Sequence, residues 1–98
     1  MDFCYKIFGH DSEKILAISD KDILGKRFEE DGLQIEVTHE FYQDKECNEK
    51  EALKLIRSST IINAVGKKII ALMIKENVIE KGNIITIDGV PHAQVIEL

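Results

Sequence analysis

The hydrophobic positions of this 98-residue chain fall into blocks of differing period. Phe3-Cys4-Tyr5-Lys6-Ile7-Phe8 is dense in aromatic and β-favouring side chains. Gly9-His10-Asp11-Ser12 reads as a turn, and an apolar pattern resumes from Lys14 to Ser19, which together predict a β-hairpin. Ser19-Asp20-Lys21-Asp22 supplies capping side chains, and Ile23-Leu24-Gly25 is about one helical turn closed by glycine. After the acidic loop Glu29-Glu30-Asp31-Gly32, Leu33, Ile35 and Val37 alternate with Gln34, Glu36 and Thr38, the pattern of a strand with one solvated face.

Asn48 and Glu51 have the spacing of a capping box, so a helix is predicted over residues 49–57 with Ala52, Leu53 and Ile56 on one side. Ile61, Ile62, Val65, Ile69, Leu72 and Met73 suit a second helix over 61–76, whose stripe is about 170° out of phase with the first. The break falls at Ser58-Ser59-Thr60, with Ser59 or Thr60 as the second cap. Asn77 ends that helix in the left-handed conformation and Val78 folds back onto it. Two strand-like runs follow, Ile84 to Ile87 and Ala93 to Glu97, joined by the five-residue loop Asp88-Gly89-Val90-Pro91-His92. The order β-β-(short helix)-β-α-α-β-β predicts an α+β fold, a small, mainly antiparallel sheet of about five strands with two helices packed on one face.

Composition narrows the class. With 44% hydrophobic and 32% charged residues, 6 Gly and 1 Pro, the chain reads as a single globular domain over residues 1–98. Such a length buries roughly 60 to 68% of the surface exposed on unfolding, enough for one core, and no cofactor is expected. The N-terminus lacks a signal-peptide pattern, and the longest apolar run, residues 69–74, is far short of the roughly 20 residues that cross a bilayer. A soluble cytoplasmic protein is expected, with Cys4 and Cys47 as reduced structural thiols, because no C-x-x-C pair is present.

The formal charge of −5 divides unevenly. Residues 11–51 hold 13 acids and 6 bases, whereas residues 54–75 hold Lys54, Arg57, Lys67, Lys68 and Lys75 and no acid. A basic helical layer of this kind suits an acidic protein, a direct RNA contact through phosphates, or the acidic half of a second copy in a homodimer.

No nucleophile-base pair, G-x-S-x-G elbow, Walker loop or dinucleotide fingerprint occurs. His10, His39 and His92 lack metal-ligand spacing. Asp20-x-Asp22 and Glu29-Glu30-Asp31 read as caps and solvated loop, with cation binding as the alternative. Phe41-Tyr42 reads as a loop docked on the core or turned to a partner. Gly66, placed mid-helix, costs about 1 kcal/mol relative to Ala and implies close approach of a neighbour or ligand. On a helix Asn63, Lys67, Ile70 and Ile74 share one stripe beside it. Its two aliphatics are surplus to one core, which points either to burial under the last hairpin or to an interface. His92 and Gln94 project from the same face of the last strand, placed to satisfy loop carbonyls, to bind a ligand or to do acid-base work.

Several of these runs, Ile23-Leu24-Gly25-Lys26-Arg27-Phe28, Phe41-Tyr42, Asn63-Ala64-Val65-Gly66 and above all Gly89-Val90-Pro91-His92-Ala93-Gln94-Val95, resemble in order and spacing the archaeal domain-of-unknown-function family 424. The resemblance covers nearly the whole chain. It implies a cytosolic archaeal protein with a link to translation or RNA-related functions, assigns no catalytic residue, and marks Asn63, Gly66, His92 and Gln94. The expectation is a non-enzymatic binding module for a protein or ribonucleoprotein partner, acting through Asn63, Gly66, Lys67, Ile70, His92 and Gln94. The alternative is a small enzyme with His92 as general acid or base and Asn63 orienting substrate, which requires both to reach one substrate.

Overall fold

Phe3–His10 (β1) and Glu13–Asp20 (β2) pair antiparallel in the computed structural model of the chain, which describes residues 1–10 and 12–96. This is the predicted N-terminal hairpin; Asp11 of its turn and Glu97 of the last strand lie outside the described residues. A 3-10 turn follows over Lys21–Ile23, two residues earlier than the expected Ile23-Leu24-Gly25, and no side chain caps it: the Asp20 carboxylate bonds elsewhere. Next come Arg27–Glu30 (β3), Leu33–Glu36 (β4), the single helical turn His39–Tyr42 (α1) and Lys45–Cys47 (β5). Glu49–Arg57 (α2) starts on the expected capping box, with Glu51 N–H donating to Asn48 Oδ1 at 2.9 Å and Asn48 N–H donating to Glu51 Oε1 at 3.3 Å. Ile61–Val65 (β6), Lys67–Lys75 (α3), Ile84–Ile87 (β7) and Val90–Ile96 (β8) complete the chain.

The described residues form a six-stranded sheet, ordered β5-β1-β2-β6-β8-β7, and a separate β3-β4 ribbon. The α+β class stands, with more strands than the five expected. Every adjacent pair in the large sheet is antiparallel except β2 with β6, where Leu16 lies opposite Ile62 and Ser19 opposite Val65. Side chains alternate between faces, so register sorts them. Phe3, Leu16, Ile18, Ile62, Ala64 and Ala93 share the face covered by both α2 and α3, and each large aliphatic buried there contributes roughly 1.5 to 3 kcal/mol. Ala17, Val65 and Val90 lie on the opposite face, under Phe28 and Ile35 from the ribbon, Tyr42 from α1 and Val37 from the link between them.

Three predictions need correction. Residues 61–65 are a central strand and not the first half of a helix. Ile61-Ile62-Asn63-Ala64-Val65 is sandwiched between β2 and β8, and a short run covered on both faces has no period to distinguish strand from helix. Ser59 and Thr60 therefore cap nothing. Ser59 Oγ donates to the Leu55 carbonyl at 2.6 Å, and Thr60 N–H donates to the Lys14 carbonyl at 2.8 Å, leading into β6.

The acidic segment is not a plain loop either: Arg27–Glu30 pairs with Leu33–Glu36 across an Asp31-Gly32 turn, both at positive φ (50° and 83°), the two-residue form that matches strand twist. Leu33, at the tip, is 55% exposed, so only Ile35 and Val37 use the predicted alternation.

The last hairpin likewise turns on two residues, Asp88 (φ 50°) and Gly89 (φ 77°), so Pro91 and His92 lie inside β8 and not in a loop. Pro91 is tolerated in this inner strand because its opposite number is Gly66. Gly66 N–H donates to the Pro91 carbonyl at 3.0 Å, while the Gly66 carbonyl accepts from Ile70 N–H at 3.1 Å and needs no donor from Pro91. The end of α3 matches expectation: Asn77 is left-handed (φ 58°) and Val78 N–H returns to the Met73 carbonyl at 2.8 Å.

Candidate functional site

The strand assignment of residues 61–65 separates the predicted site residues. Asn63 sits directly opposite Gln94 on β6 and β8, and His92 opposite Val65, so all three share the face away from α3. Gln94 is exposed, and Asn63 and His92 are half-buried. Burial pushes the His92 pKa below the ordinary histidine value. Asn63 and His92 are diagonal neighbours, roughly 7 to 8 Å apart, yet neither lines any principal cleft formed by the described residues.

Gly66, Lys67 and Ile70 belong to the other side, at the junction of β6 with α3. Gly66 has φ 126° and a backbone that only glycine adopts readily; a Cβ there would lie 2.3 Å from Asp20 Cγ. Asp20 ends β2, parallel to β6, and so reaches over the start of α3. Its Oδ2 accepts from Lys68 N–H and its Oδ1 from Ile69 N–H, both at 2.9 Å. The helix N-terminus is thus capped from a neighbouring strand, across 48 positions of sequence. Burial holds the Asp20 pKa above the usual carboxylate range, outweighing the two amide hydrogen bonds and the nearby Lys68 that favour the charged form. The close approach predicted at Gly66 is therefore to a carboxylate of this chain.

Below the junction runs a groove of about 420 Å³ between α3 and the last hairpin. Ile70, Ala71 and Ile74 form its helical wall, and Ile84, Thr86 and Pro91 its sheet wall. Lys67 and Lys81 also line it, no acidic residue does, and among the described residues neither lysine pairs with an acid. Ile70 is buried and Ile74 half-buried, so the two aliphatics surplus to the core on a helical reading belong to the helical wall of this groove. Lys81, Ile84 and Thr86 carried no motif; what marks them is the outer edge of β7, which no strand pairs among the described residues, although the next outward amide, Asp88 N–H, donates to Glu30 Oε1 at 2.8 Å.

The remaining candidates disperse. The basic residues Lys54, Arg57, Lys67, Lys68 and Lys75 are exposed on both helices, with Arg57 bonded to Glu76 at 3.2 Å and Lys68 3.8 Å from Asp2. Among the described residues no three His, Cys, Asp or Glu side chains converge as metal ligands. His39 packs against Gly25, Tyr42 is buried with its pKa pushed up to about 12, and Phe41 stacks on Phe8 at 5.3 Å. No helix of the described residues is long and apolar enough to cross a membrane.

This arrangement has relatives. The chain is similar to the crystal structure of an uncharacterized conserved protein from Methanopyrus kandleri, with a TM-score of 0.79 at 22% sequence identity over 98% of this chain and 93% of that one. That likeness is one of fold. No curated protein matches the sequence. The family model described as a protein of unknown function, DUF424, matches residues 8–98, in agreement with the resemblance carried by the Gly89-to-Val95 run. By that match over nearly its whole length, the chain belongs to the DUF424 family.

Proposed function

We propose that this protein is a non-enzymatic binding module whose groove beside α3 takes an acidic, apolar segment of a protein partner. The observation that carries the reading is the pairing of apolar walls from Ile70, Ile74 and Ile84 with two lysines, Lys67 and Lys81, that meet no acid of their own among the described residues. An apolar floor supplies affinity, and cations around it select carboxylates. Asn63, His92 and Gln94 form a second polar surface on the opposite face, available to a larger assembly such as a ribonucleoprotein.

The test compares proteins captured from the native host by the wild-type chain, by a Lys67→Glu/Lys81→Glu variant and by a Lys54→Glu/Arg57→Glu control. An acidic partner held by wild type and control but lost by the groove variant supports the reading. Equal capture by all three overturns it. Capture lost only in the control, or abolished by nuclease and falling steeply with salt, makes the helical layer an RNA surface instead.

A further inference from the structure

We infer that the partner segment binds as an added β-strand on the outer edge of β7, an inference that rests on the groove reading and specifies its geometry. Hydrogen-bond direction alternates along a strand. Gly66 N–H donates to the Pro91 carbonyl, so Pro91 turns its main-chain polar group toward β6. Val90 and His92 therefore turn toward β7, where they face Ile87 and Ile85. Thr86, between those two, turns its N–H and carbonyl away from the sheet, and neither has a partner among the described residues. Ile84 offers its carbonyl outward as well, its N–H being held by the Lys81 carbonyl.

The two edges of the sheet differ in a way that favours this use. β5, at one edge, has only three residues, two of them the exposed Lys45 and Glu46, with Glu46 tied to Lys21 at 2.9 Å; short, charged edges resist pairing. β7, at the other, reads Ile-Ile-Thr-Ile and carries no charge. Its side chains prepare both faces of an incoming strand: Ile84 and Thr86 line the groove, while Ile85, on the opposite face, is 55% exposed. A strand laid along β7 satisfies Thr86, sends alternate side chains into the groove, and brings acidic residues to Lys67 and Lys81.

The probe is an acetylated and amidated peptide, Glu-Thr-Val-Thr-Val-Thr-Glu, which places valines and glutamates on one side of a strand. It is added to the labelled full chain and followed by amide NMR and hydrogen exchange. The expected result is a shift of the Thr86 amide with exchange slowed at least about tenfold, shifts at Lys67 and Ile74, and loss of binding when alternate peptide nitrogens are methylated. Thr86→Pro, which removes the outward donor together with a groove side chain, should weaken binding at least about tenfold, whereas Thr86→Val, which loses the hydroxyl but keeps the N–H, should leave it within about twofold. If the proline variant misfolds, the methylated peptide still decides the matter.

Shifts at Lys67 and Ile74 with unchanged Thr86 exchange, and equal binding of the methylated peptide, overturn strand addition while leaving the groove as a binding site. No shift anywhere in the groove overturns both readings. Protection of Thr86 that rises with protein concentration in the absence of peptide assigns the edge to a second copy, and likewise overturns the inference.

Discussion

Asp20 and Gly66 are in such close contact that the carboxylate occupies the place a side chain at residue 66 would need. Gly66→Ala should therefore both strain the backbone at φ 126° and push Asp20 off the first amides of α3, at a combined cost of roughly 2 to 5 kcal/mol. Urea denaturation measures it. Gly82→Ala, where a Cβ meets nothing within 4 Å, is the control and should change stability by no more than about 0.5 kcal/mol.

Removing the other partner should also be costly. Asp20→Ala leaves the Lys68 and Ile69 amides without their acceptor and should lower stability by roughly 1 to 3 kcal/mol. Asp20→Asn keeps one acceptor oxygen and should fall between. Equal denaturation midpoints for all three proteins would show that α3 starts well without this cap.

Ser19, next in sequence but on the opposite face of β2, is fully buried, and its Oγ has no hydrogen-bond partner among the described residues. Ser19→Ala removes a desolvated hydroxyl at nearly constant volume. Stability should stay the same or rise by up to about 1 kcal/mol, a change that a thermal melt resolves. A clear loss would mean that the hydroxyl has a partner after all.

The lowered pKa of His92 fixes a pH dependence. The unfolded chain takes up its proton near the ordinary value of about 6.5, whereas the folded chain takes it up only at lower pH. The contribution is complete above the unfolded value and is lost as pH falls toward the folded one. Wild type should therefore lose stability on acidification below about pH 6.5 more steeply than His92→Gln, in paired denaturation curves. Parallel curves would remove this coupling.

Cys4 and Cys47 should not react with a thiol reagent in the native protein. Both are buried free thiols, and burial raises both pKa values, that of Cys47 to about 11. They also cannot bridge: Cys47 stands opposite Phe3 and Glu46 opposite Cys4, so the two sulfurs leave opposite faces of the sheet. Ellman titration should find two thiols only after denaturation. Fast native labelling would show that the β1-β5 edge opens.

Much of this fold was legible because its signals are local. The capping box at Asn48 and Glu51, the left-handed Asn77 and the aromatic β1 each depend on residues within one or two turns of chain. What was hidden depended on distant pairing. Residues 61–65 could not be read as a strand without the two strands that enclose them, and the cap on α3 lies on β2. Asp31-Gly32 and Asp88-Gly89 are both strong local signals of two-residue hairpin turns, and together they place β3 and the true length of β8. The candidate site was legible only in part. Gly66 and Ile70 stood out by composition, whereas the free edge of β7 is a property of the whole sheet.

The parallel pairing of β2 with β6 has a kinetic consequence. The β1-β2, β3-β4 and β7-β8 ribbons each join neighbours in sequence and can form within microseconds, but β2 meets β6 only after residues 21–60 have been looped out. That union also delivers Asp20 to α3, so the strand pairing of longest sequence range is the one that seats the helix. Refolding should therefore be limited by this seam, which has the β1-β2 ribbon on one side and the β7-β8 ribbon on the other.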